Sequence, residues 1–224
     1  KAGLMKFPAF YFVGDLLVVD LDLPRDLEAT KGLSDFVLSH GIVVDLLPMR
    51  SRGAHKGTFG AVMVAAGSLE FTGAALLAGK AAYLIGVGLV RMAVPAPLHT
   101  ALAGHLPEAV WLLLPHTEGA IDETAAHVLS ANLDKVSALL IGPGIGISDA
   151  TEGFVRAVLE EFERRKRGKN QLPSVVLDAD ALKLVTKVHG WQDMLPANSI
   201  LTPHPGEMSV LTGLSVEEIQ ADRL

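Results

Sequence analysis

The stretch HKGTFGAVMVAAGSLEFTGAALLAGKAAYLIGVGLV, residues 55–90, decides the fold of this chain. Its continuous apolar run at residues 61–66 is typical of a strand that is buried on both faces of a parallel sheet. A Gly67-Ser68 turn follows, and then an Ala- and Gly-rich segment at residues 72–86 that predicts a helix. Strand, glycine turn and helix form the opening unit of an α/β domain, in which ligands bind beyond the ends of the strands.

The same alternation continues to the end of the sequence. Strands are predicted at residues 61–66, 88–94, 110–114, 136–141, 174–178 and 199–202. Helices are predicted near residues 72–86, 97–103, 121–131, 150–166 and 180–188, and another begins at residue 206. Strands and helices that alternate at this spacing predict a three-layer α/β fold, with a mostly parallel sheet covered by helices on both faces.

Charge and composition argue against nucleic-acid binding as the function. Half of the 224 residues are apolar, which is enough for a sizeable core, and the formal net charge is -6. Because no extended basic face occurs, we predict that nucleic acid is not a partner. The basic run at residues 164–167 ends a predicted helix, where cations complement the helix dipole, and we interpret it as a solvated helix end.

The sequence also bears on the environment of the protein. It contains no cysteine, which excludes a disulfide framework and any cysteine metal site or nucleophile. No apolar stretch reaches the roughly 18 residues that a membrane-spanning helix needs. We therefore predict a soluble, cytoplasmic protein with no membrane partner.

Two glycine-containing segments follow predicted strands. After the first strand, Gly67-Ser68 and the small residues at 73–75 would let a ligand approach a helix N-terminus, but they also suit close packing of helix against sheet. After the fourth strand, GPGIG at residues 142–146 places three glycines around a proline. The amides of such a loop can face a phosphate or a flat ring, and a plain turn is the alternative.

Two polar segments follow the last two predicted strands. Asp178 closes an apolar strand, and we expect it to contact a ligand hydroxyl, a water or Mg²⁺, whereas Asp180 is predicted to be a helix N-cap. His204 lies between two prolines that hold the backbone extended, and we expect it to touch a substrate. Glu207 falls in the first helical turn, where it either supports the helix start or orders a metal-bound water.

With these motifs in this order, the chain resembles the ADP-dependent NAD(P)H-hydrate dehydratases of the ribokinase-like superfamily. The matching segments are HKGTFG at 55–60, AAGS at 65–68, TGAA at 72–75, GPGIG at 142–146, LDADAL at 177–182 and TPHPGE at 202–207. The resemblance implies a ribokinase-like fold and a hydro-lyase activity. In that reaction the S form of hydrated NADH or NADPH (NADHX or NADPHX) is dehydrated while ADP, or ATP, is consumed with Mg²⁺.

The resemblance also implies which residues bind the substrate. It places Ala74, Gly146 and His204 against the hydrated dinucleotide, with the backbone of Gly144 lining the same pocket and Asp178 close to it. The ring hydroxyl is a poor leaving group, so the family is thought to transfer phosphate to it and then eliminate phosphate. Such a transfer depends on in-line positioning and charge stabilisation.

Three segments are predicted. Residues 15–24 predict a strand that ends at Pro24, and residues 1–24 are similar to the tail of the epimerase domain that precedes the dehydratase in bifunctional members, with 15–24 as its last strand. The more polar residues 25–54 predict a connector with a short amphipathic piece at 33–38, and residues 55–224 form the dehydratase domain. The family continues beyond the equivalent of Leu224 with a Lys-Gly nucleotide-binding segment and a Gly-x-Gly-Asp turn, whose aspartate is the expected base. We therefore expect this domain to be incomplete at its C-terminus, and we assign no catalytic or ADP-binding residue in it. A homo-oligomer is also expected.

Two other functions remain open at this point. A ribokinase-like kinase of a small vitamin-precursor alcohol would share the fold, although the Ala74-Ala75 helix start and His204 favour the dehydratase. A non-catalytic fragment or scaffold is the second alternative, because the nucleotide-binding motifs are not in these 224 residues.

Overall fold

The computed structural model describes residues 4, 8–17, 38–168 and 170–221. The chain divides into two compact units, one spanning Gly53–Ile219 and the other made of the remaining residues at both ends. The terminal unit contains a 3-10 helix at Ala9–Phe12 and helix α1, His40–Leu46. The side chain of Ser39 caps the N-terminus of α1. The prediction missed α1. Of the predicted strand at 15–24, residues 15–17 are irregular and 18–24 lie outside the described residues, as do 33–37 of the predicted amphipathic piece.

The larger unit is built on a parallel sheet. Its strands, within the described residues, are β1 (Ala61–Ala65), β2 (Leu89–Pro95), β3 (Val110–Leu114), β6 (Ala138–Ile141), β7 (Ser174–Leu177) and β8 (Ile200–Leu201), and they lie in the order β3-β2-β1-β6-β7-β8. All five pairings in this sheet are parallel. Each strand coincides with a predicted one, so the predicted parallel sheet is confirmed.

Helices connect the strands of the sheet, and two more follow its last strand. They are α2 (Thr72–Ile85), α3 (Leu98–Leu102), α4 (Ala125–Ser130), α5 (Asp149–Arg167), α6 (Asp180–Val185), α7 (Trp191–Met194), α8 (Pro205–Thr212) and α9 (Val216–Ala221). Short 3-10 helices at Ala103–His105 and Leu133–Lys135 complete the connections among the described residues. Helices α7 and α9, of four and six residues, were not predicted.

The sheet buries both of its faces, as a three-layer fold requires. Successive side chains of a strand point to opposite faces, so Met63 and Val64 of β1 belong to different apolar clusters. The cluster around Met63 includes Phe154 and Phe162 of α5, and the cluster around Val64 includes Ala75 of α2 and Leu98 of α3. The predicted three-layer arrangement is therefore confirmed.

One prediction in this region is wrong. The helix expected from residue 121 begins only at Ala125, and a small antiparallel hairpin precedes it, formed by β4 (His116–Thr117) and β5 (Ala120–Ile121). The hairpin turn is held to the loop after β1, because Leu69 N donates to Gly119 O at 3.2 Å. Strands of two residues are too short to show alternation in a sequence, so only this tertiary contact reveals them.

The C-terminal end of α5 is anchored rather than solvated. The side chain of Arg165 is only 8% exposed and pairs with Asp134 at 2.6 Å and with Glu161 at 2.9 Å, while its Nη2 donates to Ser130 O at 2.8 Å. Lys166 Nζ donates to the carbonyls of Asp193 and Leu195. The interpretation of residues 164–167 as a helix end is confirmed, but the solvated reading is wrong for Arg165, which ties α5 to α4.

Replacing Arg165 by alanine should lower the free energy of unfolding by about 3 kcal/mol, because the change removes the ion pairs of Arg165 with Asp134 and Glu161 and the hydrogen bond that its side chain donates to the Ser130 carbonyl. Urea unfolding measures the effect. Arg164→Ala is the matched control, since Arg164 also pairs with Glu161 but its side chain is 71% exposed, and its loss should stay below about 1 kcal/mol. Equal losses for the two variants would contradict the anchoring role.

The same network predicts a pH dependence. Burial alone would raise the pKa of Glu161, but hydrogen bonds from Ser130, Arg164 and Arg165 outweigh it, and the pKa lies below its ordinary value of 4.5. A lowered pKa in the folded state stabilises the fold above the ordinary pKa, and this contribution is lost as the pH falls through the lowered value. Urea unfolding between about pH 6 and pH 3 should therefore show a shallower acid-side loss of stability for Glu161→Gln than for the wild type. Equal slopes would exclude the contribution.

Candidate site at four neighbouring strand ends

The four motif segments meet at one edge of the sheet. β1, β6, β7 and β8 are consecutive neighbours, and because they are parallel their carboxyl ends lie together. The segments that follow them are 66–71, 142–148, 178–179 and 202–204. This is the edge at which open α/β sheets bind ligands.

The loops after β1 and β6 touch directly. Gly67 N donates to Pro143 O at 2.8 Å. Gly144 has a φ of +65°, and a Cβ built on it would lie 2.7 Å from Ala74 Cβ and 2.8 Å from Phe71 Cβ. The structure therefore brings Ala74 and Gly144 together, and glycine at 144 is needed for that close approach. The alternative interpretation of the small residues after β1 was close packing, and Ala74 does pack closely, against Gly144.

The loop after β6 is also held to the loop after β7. Gly146 N donates to Asp180 Oδ2 at 3.0 Å, and Thr151 Oγ1 donates to Gly146 O at 3.0 Å. Asp180 is the first residue of α6 and not its cap, so the N-cap prediction is wrong. The cap position belongs to Ala179, whose φ of +51° and ψ of -121° are rare for a residue with a side chain.

Asp178 is half-buried at the end of β7. Its Oδ1 accepts a hydrogen bond from Thr202 Oγ1 at 2.8 Å, which links the ends of β7 and β8. Its main chain continues the sheet for one residue, because Asp178 N donates to Ile141 O at 3.1 Å. The contact with a ligand expected of Asp178 stays a prediction.

His204 and Glu207 form the cap of α8. His204 Nδ1 accepts from Gly206 N at 3.0 Å and from Glu207 N at 3.3 Å, while Glu207 Oε2 accepts from His204 N at 3.0 Å. Nε2 of the ring lies 3.1 Å from Glu207 Oε1. Glu207 is only 5% exposed and both its oxygens are used here, which supports the helix-start role rather than a role at a metal. The His204 side chain is 63% exposed, so the face of its ring is accessible.

A cavity of about 410 Å³ opens beside the glycine loop. It is lined by residues 68–70, the hairpin turn at 117–120 and residues 145–150 at the start of α5. Gly146 is part of this wall, whereas Ala74, Gly144, Asp178 and His204 are not. A Cβ built on Gly146 would meet no atom within 4 Å, so this position faces open space.

A larger cavity, of about 720 Å³, lies at the opposite edge of the sheet. It is lined by the beginnings of the strands and by Lys56, Gly57 and Gly60, so the HKGTFG motif is remote from the four segments that follow the strands. Open parallel sheets bind ligands beyond the carboxyl ends of their strands, and we therefore take the smaller cavity as the candidate site.

Two kinds of feature are absent from the described residues. No group of three or more His, Cys, Asp and Glu side chains among them is arranged to hold a metal ion. None of the helices in the described part of the chain is long and apolar enough to cross a membrane.

Sequence reasoning missed four contributors to this edge. Thr151 has no sequence signal of its own, because hydroxyl residues are common in helix starts and loops, and Thr202 is part of the TPHPGE motif but no role is predicted for it. The hairpin that lines the cavity lies in a stretch for which no element is predicted, except for Ile121, with which the predicted helix begins. Asp180 did have a signal, since it follows Asp178 at a strand end, but its bond to Gly146 joins residues 34 positions apart.

Known proteins resemble this chain over most of its length. A model of the NAD(P)H-hydrate dehydratase family matches residues 62–224. The bifunctional NAD(P)H-hydrate repair enzyme of Moorella thermoacetica is 37% identical over 232 residues, which cover 100% of this chain but 41% of that protein. The chain thus spans about two fifths of the length of such curated relatives.

Solved structures agree in fold. The ADP/ATP-dependent NAD(P)H-hydrate dehydratase of Bacillus subtilis, co-crystallised with ATP and Mg²⁺, is 30% identical with a TM-score of 0.56, covering 79% of this chain and 56% of that one. A ribokinase-like superfamily protein of Enterococcus faecalis has a TM-score of 0.65 at 22% identity, covering 83% and 61% of the two chains. The ribokinase-like fold is confirmed, and the chain belongs to the NAD(P)H-hydrate dehydratase family.

Proposed function

We propose that the protein dehydrates the S form of hydrated NADH or NADPH in a reaction that consumes ADP or ATP. The observation that carries this proposal is the meeting of the four family motifs at adjacent strand ends, beside a cavity, in a chain of the dehydratase family. The name of the Bacillus subtilis neighbour supports the same co-substrate. The reaction would belong to nicotinamide cofactor repair.

The proposed chemistry has two steps. The terminal phosphoryl group of ADP moves to the ring hydroxyl oxygen, which leaves AMP, and the phosphorylated hydrate then loses phosphate and a neighbouring ring proton to restore the double bond. Phosphoryl transfer depends mainly on positioning and on charge stabilisation. In this proposal the four strand-end segments position the hydrated dinucleotide, with Ala74, Gly144, Gly146, Asp178 and His204 around it.

Mg²⁺ would reach the site with the nucleotide. Mg²⁺ is usually held by one or two carboxylates together with substrate phosphates rather than by a cage of protein ligands. The carboxylate of Glu207 is held in the cap of α8, so in this proposal the phosphates of the nucleotide provide the main ligands. When bound, Mg²⁺ would neutralise the phosphate charge during transfer.

We also propose how the protein is divided into domains. Relatives of this chain are bifunctional repair enzymes, which supports an epimerase segment ending near residue 24, a connector at 25–54 and a dehydratase domain from residue 55. Such an epimerase would interconvert the R and S hydrates. A cytoplasmic location and a homo-oligomer stay predictions.

The direct test is an assay of the full-length protein with hydrated NADPH. We expect the absorbance of reduced nicotinamide to return when ADP and Mg²⁺ are added, and not when either is omitted. Absence of recovery together with ATP-dependent phosphorylation of a vitamin-precursor alcohol would favour the kinase instead. Absence of both activities would favour a non-catalytic role.

His204→Ala in the full-length protein should weaken binding of the hydrate more than binding of ADP, as measured by isothermal titration. The structure makes the cap a second possible cause, because alanine also removes the acceptor for two backbone amides at the start of α8. His204→Asn separates the two causes, since asparagine caps helices well. A loss of hydrate affinity in both variants identifies contact with the ring, whereas a loss in the alanine variant alone would assign His204 to the cap.

Gly146→Ala should weaken hydrate binding by about tenfold or more, because its methyl group would project into the open space of the cavity. It should also lower the free energy of unfolding by about 1–2 kcal/mol, because φ at Gly146 is +81°. Gly213→Ala is a matched control, since Gly213 has a φ of +77° and open space at its Cβ but ends α8. Equal hydrate affinity in the two variants would argue against a ligand at Gly146.

A further inference from the structure

The amides of the glycine loop are mostly used within the protein. Gly142 N donates to Ala65 O at 3.2 Å, Ile145 N donates to Gly142 O at 3.2 Å, and Gly146 N donates to the Asp180 carboxylate. A loop that offered these amides to a phosphate would leave them pointing at open space. Here the acceptor for Gly146 is a carboxylate of the chain itself, so this amide is not available to a phosphate.

The backbone is distorted to put that carboxylate there. Ala179, between Asp178 and Asp180, has the unusual φ of +51° and ψ of -121°. A residue with a side chain persists in such a conformation only when its surroundings hold it. On its two sides, Asp178 is held by Thr202 Oγ1 at 2.8 Å and Asp180 holds Gly146 N at 3.0 Å. The turn at Ala179 thus directs the carboxylate of Asp178 to the loop after β8 and the carboxylate of Asp180 to the loop after β6.

The hydrogen bond to Asp180 holds the N–H of Gly146, and a hydrogen bond from Thr151 holds its C=O. Thr151 is fully buried, and its Oγ1 donates to Gly146 O at 3.0 Å. With its N–H and its C=O both bound, Gly146 turns its Cα toward the open space beside the cavity. The ligand would therefore meet a small, rigid surface at Gly146 and not a free amide.

We propose that Asp180 is a positioning residue of the substrate site, which acts through Gly146 by holding the glycine loop in the shape that receives the dinucleotide. This role rests on the proposed function. It requires the acceptor oxygen of Asp180 rather than its negative charge, because a carboxamide oxygen at the same place can accept the same hydrogen bond.

The test compares Asp180→Ala with Asp180→Asn in the full-length protein, by isothermal titration with hydrated NADPH and, separately, with ADP. We expect Asp180→Ala to weaken hydrate binding by about 10- to 100-fold, with ADP affinity changed less than about twofold, and Asp180→Asn to stay within about threefold of the wild type. Asp193→Ala, which removes an acidic residue from the first turn of α7, is the matched control and should bind as the wild type. Wild-type affinity in Asp180→Ala, or equal losses in the alanine and asparagine variants, would overturn the role.

Amide hydrogen exchange at Gly146 gives a readout that needs no substrate. Exchange should be slow in the wild type and in Asp180→Asn and fast in Asp180→Ala. If the alanine variant does not fold, Asp180→Ser replaces it, because its hydroxyl suits a helix start but its side chain is too short to reach Gly146. If the wild type does not bind the hydrate, the proposed function fails, and the exchange pattern alone then decides whether Asp180 holds the loop.

Discussion

The parallel pairing of β1 with β6 is the constraint on which the site depends. Val62 lies opposite Ala138 and Ala65 opposite Ile141, although more than 70 residues separate the two strands in the sequence. This pairing sets the turn after β1 beside the glycine loop after β6, and Gly67 N then bonds Pro143 O. A shift of register by one residue would turn the apolar side chains of β1 to the wrong cluster, so both sheet faces enforce the alignment.

From this pairing, contacts continue across the sheet edge in strand order. Gly144 packs on Ala74, Gly146 bonds Asp180, and Asp178 bonds Thr202. Each contact joins the segment after one strand to the segment after the neighbouring strand, so the four segments form one connected surface. Such a surface is ordered before a ligand binds, and less conformational entropy is then lost on binding.

Helix α5 supports this edge of the sheet. Helix α5 begins at the glycine loop with a capping box of Ser148 and Thr151 and ends at the buried network of Arg165 with Glu161 and Asp134. Its apolar side packs on the sheet through residues such as Phe154 and Phe162. Cap, core and ion pairs therefore hold the helix along its whole length, which keeps its first turn and Gly146 in place.

The sequence by itself determined the α/β class, the parallel strands, the family and the motifs at the strand ends, because continuous apolar runs and clustered glycines are local signals. Only the tertiary structure decided what those motif residues do. Asp180 reads as a cap but binds Gly146, Glu207 is consumed by the cap of α8, and Arg165 is buried at what reads as a solvated helix end. The physical reason is that a polar side chain takes the partner that lies nearest in space, and in a parallel sheet the neighbours at a strand end come from distant parts of the chain.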